Sequence, residues 1–158
     1  EEDRLQRQGL AAALRAPEVQ RAFFAADAPV AIAVFEWSGR YNQSLLLDWT
    51  MISSPTILDA AAATLAGSQR SHNEFPTAMG YALGYAAGLL DDGPSCLFKT
   101  RDMAGDGENN EGFGPQAAYA EFPFDGVTVN GLVVEARTYD TEVSLVDFYT
   151  RQVLRGPG

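Results

Sequence analysis

A chain of 158 residues with 21 acidic against 11 basic side chains, net −10, has no basic stripe to displace counterions from a duplex, so nucleic acid is not expected as a partner. A content of 46% hydrophobic and 20% charged residues is that of a globular domain with a core, not of a disordered tail. No apolar run approaches bilayer-crossing length, and the single cysteine, Cys96, excludes an internal disulfide.

Residues 1–26, EEDRLQRQGLAAALRAPEVQRAFFAA, place Leu5, Leu10, Ala13 and Leu14 at helical spacing behind acids that suit the helix dipole. Pro17 divides this stretch into two helices. VAIAVFEW, 30–37, is a nearly continuous apolar run and predicts a strand covered on both faces. SGRYNQ turns the chain into SLLLDWT, 44–50, the second arm of a hairpin. SPTILDAAAATLAG predicts a helix with Ser54 as N-cap, Pro55 in the first position and Gly67 past the end. After the polar connection SQRSHNEFP, TAMGYALGYAAGLLDD predicts another helix. Its Gly80, Gly84 and Gly88 lie four apart, on one face, and would let a sheet approach closely.

SCLFKTRDM predicts the next strand, with Cys96 as an inert buried thiol. GPQAAYAEF reads as a short helix, GVTVNGLVVEAR (126–137) as a strand, and DTEVSLVDFYTRQVL as a final helix capped by Asp140. Helices alternating with apolar strands predict an α/β layered domain with a mostly parallel, doubly wound sheet. Such a sheet usually begins on its central strand, whereas this chain opens on a helix. A strand ahead of Glu1 is therefore expected.

The richest chemistry lies in MAGDGENNEG, 103–112, which gathers Asp106, Glu108, Glu111, Asn109, Asn110 and three glycines at the end of a predicted strand. Ligands of doubly wound sheets bind beyond the carboxyl ends of strands, and hard cations take oxygen ligands, so Asp106 is a candidate metal ligand. A glycine-rich turn that caps a short helix, its acids merely solvated, remains open beside it. An EF-hand is a poor match, because Glu111 stands where glycine is needed and no Glu closes the loop. Thr77, opening the small-residue helix, is either an N-cap or a hydroxyl facing a cation. His72, the only histidine, reads as a solvated loop residue, and with no second histidine to join it zinc is disfavoured. GxSxG, Walker A and dinucleotide glycine loops are absent.

In order, QRQGLAAALRAPEV, VAIAVFEWSG, WTMI, PTAMGYALGYAAGLL, GDGENNEG and VTVNGLVVE resemble a bacterial family of exported proteins with a von Willebrand factor A-like domain. The resemblance covers nearly the whole chain. It implies a doubly wound, mostly parallel sheet with a short antiparallel edge strand and helices on both faces. Residues 1–158 would form one such domain, lacking its first strand and its C-terminal end. The resemblance also implies a metal-ion-dependent adhesion site at the top of the sheet. Thr77 matches its threonine and Asp106 its second aspartate, while its Asp-x-Ser-x-Ser element would precede Glu1. The ion implied is Mg2+, or else Ca2+ or Mn2+. The function expected is a non-enzymatic protein-interaction module in which a partner's carboxylate completes the cation's shell. The alternative is a structural or accessory subunit of a larger, membrane-associated assembly with a vestigial metal site. Metal-assisted hydrolysis through Asp106 and Glu108 comes third. The implied location is the periplasm or the medium beyond it.

Overall fold

Proline and serine set the first helix boundaries. The computed structural model describes residues 2–72, 74–134 and 145–156. Helix α1 covers Glu2–Arg15 and α2 covers Pro17–Phe23; Pro17 opens α2 because its fixed φ is helical and a first turn has no use for its missing N–H. Strands β1 (Val30–Ser38) and β2 (Asn42–Ile52) then pair antiparallel. Helix α3 (Pro55–Gly67) starts as expected, with the Ile57 N–H donating to Ser54 Oγ at 3.3 Å. Gly67 is its last residue rather than the one beyond. The remaining elements are α4 (Met79–Asp92), β3 (Lys99–Gly105), α5 (Pro115–Glu121), β4 (Val127–Val133) and α6 (Leu145–Phe148), which runs into a π-helical turn at Tyr149–Val153.

The architecture is mixed α/β, with six α-helices and two two-stranded sheets among the described residues. Strands β3 and β4 pair in parallel from Lys99↔Val127 to Gly105↔Val133, with α5 in the crossover between them. The expected α/β class is present, and one of its sheets is parallel. The chain gathers into two compact units, Glu1–Trp37 with Ser44–Asn73, and Ser38–Gln43 with Glu74–Gly158.

In the first unit, Ala11 and Leu14 of α1, Ile52 of β2, and Leu58, Ala61, Ala62 and Leu65 of α3 are buried together. The small alanines let α1 and α3 pack closely, and Arg15 Nε donates to Asp59 Oδ1 at 2.8 Å on their exposed rim. Strand β1 departs from the sequence expectation. Only Phe35 and Ser38 are buried along it, because a two-stranded sheet covers its strands less fully than a wide one.

In the second unit, α4 buries Met79, Gly80, Ala82, Leu83, Ala86 and Ala87, a stripe at helical period, and packs on α5. A Cβ on Gly80 would stand 2.2 Å from the Phe113 carbonyl oxygen, and one on Gly84 would stand 2.8 Å from the Phe122 ring. Gly88 has nothing within 4 Å. The close approach foreseen for these glycines thus holds at two of them, and the neighbours are residues flanking α5 rather than a sheet. The tail closes on β4, where Val129 and Arg155 exchange N–H···O bonds of 2.8 and 3.1 Å.

Cys96 is exposed, not buried. Leu97 and Phe98 beside it are 96% and 89% exposed. The strand begins only at Lys99, because its partner β4 begins at Val127, just after the turn at Gly126 (φ 73°). The end of the strand expected to reach Arg137, and the Asp140 cap, lie outside the described residues.

Candidate functional site

The loop that leaves β3 is built around Thr77. Its backbone N–H donates to Asn110 Oδ1 at 2.8 Å, and its carbonyl accepts the N–H groups of Asn110 and Glu111 at 3.0 and 3.1 Å. Asn109 Oδ1 accepts the Met79 N–H at 2.8 Å. Thr77 is therefore not the N-cap considered from sequence. Ala78 holds the cap position and makes no side-chain cap bond. The orphan N–H at the start of α4 is served instead by Asn109, thirty residues further on. The two asparagines lock the loop to the segment entering α4.

This clamp sets the Thr77 hydroxyl beside the backbone that follows Asp106. A Cβ on Gly107, the residue after Asp106, would lie 3.5 Å from Thr77 Oγ1. Thr77 is half-buried and Asp106 exposed, at the carboxyl end of a strand in a parallel pair.

Glu111 is drawn elsewhere. Its Oε1 lies 3.2 Å from Arg40 Nε, and the Arg40 guanidinium sits 5.8 Å above the Tyr81 ring. Gly39, at φ 68°, turns the hairpin so that its N–H reaches the Pro76 carbonyl at 2.8 Å. Gly112, at φ 67°, lies flat on Tyr81, where a Cβ would meet the ring at 2.5 Å. Tyr81 also stacks on Phe113 at 4.6 Å. The loop is thus held at Thr77, at Arg40 and at Tyr81. Glu108 is exposed, and His72 is exposed and belongs to the other unit.

Chemically the pair is an all-oxygen donor set, one hydroxyl and one carboxylate, which suits a hard cation and not zinc. Among the described residues no three His, Cys, Asp or Glu side chains gather into a metal cluster. A cation here would keep most of its water, as Mg2+ commonly does on one or two protein carboxylates. Two features escaped the sequence. Arg40 sits in what reads as an ordinary turn. Tyr149 sits in a helix where an aromatic reads as core, yet its phenol is held up at about 12, by burial first and by the Asp106 carboxylate second.

The family model described as "Protein of unknown function (DUF1194)" matches residues 1–158, and the chain belongs to that family. No curated protein and no solved structure matches it.

Proposed function

We propose that this family member is a von Willebrand factor A-like, non-enzymatic protein-interaction module that binds through a divalent cation, Mg2+ in the first instance, at Thr77 and Asp106. The observation that carries the proposal is the clamp after β3, where two asparagine side chains and two backbone hydrogen bonds hold the Thr77 segment with its hydroxyl beside Gly107, the residue after Asp106. With few protein ligands, the ion keeps exchangeable positions, and a partner's carboxylate can displace water there. The doubly wound sheet belongs to the same proposal, supported by the parallel β3–β4 pair with a helical crossover. So does a location in the periplasm or outside the cell, supported by the sequence resemblance to exported proteins.

Calorimetric titration of Mg2+ into the wild-type and Asp106→Ala chains tests this reading. Binding heat is expected for the first and none for the second, with equal urea midpoints, because the Asp106 side chain is exposed. A variant that binds Mg2+ as the wild type does would overturn it. The accessory-subunit reading draws support from a different place, the adjacent and almost fully exposed Leu97 and Phe98. Apolar surface of that kind is commonly covered in an assembly, and such an assembly would persist in EDTA.

A further inference from the structure

A single exposed ring is ordinary on a protein surface, but two lie together in the second unit. Tyr41, in the turn of the β1–β2 hairpin, is 84% exposed, and Phe75, on the approach to α4, is 53% exposed. Gly39 joins them, because a Cβ on it would stand 3.0 Å from that of Phe75 and its N–H donates to the next residue's carbonyl, Pro76, at 2.8 Å. Tyr41 is also held from behind. Its ring meets Tyr81 edge-on at 6.4 Å, and Tyr81 leans on Phe113 at 4.6 Å. An aromatic side chain has only two torsions, and one already supported loses little freedom when a partner covers it.

The surroundings decide what can cover it. Glu74 is exposed beside Phe75, and the loop clamped to Thr77 adds Asp106, Glu108 and Glu111. Against these carboxylates stands Arg40, engaged with Glu111 at 3.2 Å and lying over Tyr81. The surface is therefore aromatic and acidic. A second copy of this chain, itself at −10, would be repelled from it. We propose that Tyr41 and Phe75 form a docking surface for a basic segment of a partner protein, whose arginine or lysine lies over the Tyr41 ring with its charge among the carboxylates of Glu74 and the Asp106–Glu111 loop. It rests on the chain being a protein-interaction module, but not on the cation. The ring face attracts the cation through its quadrupole, and the acids turn away partners of the wrong sign.

The test uses the whole chain, isotope-labelled, titrated at low salt in EDTA with the blocked peptides Gly-Arg-Gly-Arg-Gly and Gly-Gln-Gly-Gln-Gly and followed by NMR. Only the arginine peptide is expected to bind, with its largest shifts at Tyr41, Phe75 and Tyr81. Tyr41→Ala should bind it about two- to fivefold more weakly, the size of an exposed cation–ring contact. Tyr41→Phe keeps the ring and should bind as the wild type does. Glu74→Gln should weaken binding more than Asp91→Asn, which removes an exposed carboxylate at the far end of α4. Absence of binding, largest shifts elsewhere, or a Tyr41→Ala chain that binds as the wild type does would each overturn the docking surface. Equal losses in Tyr41→Phe and Tyr41→Ala would overturn it by tracing the contact to the hydroxyl. Equal losses at Glu74 and Asp91 would overturn it by reducing the binding to attraction by net charge. Because no divalent ion is present in this titration, the Mg2+ calorimetry decides the cation site separately, and either can fail while the other stands.

Discussion

Asn109 illustrates how much of the candidate site's shape rests on side chains that the sequence does not mark as ligands. Its amide oxygen caps α4 from a distant loop, so its removal uncaps a helix and loosens the approach to Thr77 in one step. Asn109→Ala should cost about 1 kcal/mol, the usual value of a lost cap, read as a lower urea midpoint. If the cation site exists, the same variant should bind Mg2+ more weakly even though no ligand has changed. The sequence places Asp106 past a strand end and Thr77 before a helix, but not the bonds that hold the loop between them. A carboxylate past a strand end and a threonine before a helix are visible as letters. The bonds between Asn109 and Met79, or Arg40 and Glu111, depend on a chain path that no local pattern encodes.

Helix α4 gives the clearest contrast between identical residues. Gly80 meets the Phe113 carbonyl, part of a loop pinned on several sides, so a methyl group there cannot be accommodated by a small shift. Gly80→Ala should destabilise the chain by about 1–3 kcal/mol, as overpacking does. Gly88, exposed with nothing near it, should respond in the opposite sense: Gly88→Ala relieves a helix-interior glycine and should stabilise by about 0.5–1 kcal/mol. Urea unfolding of the two variants separates these outcomes. The elements themselves were largely legible, because Pro17, Ser54 and Pro55 act through local chemistry that does not depend on the fold. Strand β3 was misplaced at its start for the opposite reason. Cys96, Leu97 and Phe98 are apolar enough for a strand, but a strand exists only where a partner is paired with it, and β4 offers none before Val127. The division into two sheets was invisible on the same grounds, since apolar runs specify burial and not which run lies beside which.

At the scale of the molecule, stability at high pH should be set by the second unit. Burial pushes the Tyr119 and Tyr149 phenols from 10.0 up to about 12, so each contributes stability that is whole below pH 10 and lost as pH climbs through 12. Burial moves Arg101 the other way, from the ordinary guanidinium range down to about 10, so the folded chain sheds that charge first and regains some stability over the same range. Two phenols outweigh one guanidinium, so the urea midpoint is expected to fall between pH 10 and 12; in Tyr149→Phe one phenol and the guanidinium nearly cancel, and the midpoint should change little over that range. Both units are discontinuous in the chain: residues 38–43 belong with the second unit, although the strand residues on either side of them belong with the first. The backbone therefore passes between the units three times, after Trp37, after Gln43 and after Asn73. No single cut can yield two fragments that each carry one whole unit. Such a chain is poorly suited to having either half exchanged by gene fusion or expressed alone, so its two parts are expected to be inherited, made and lost together.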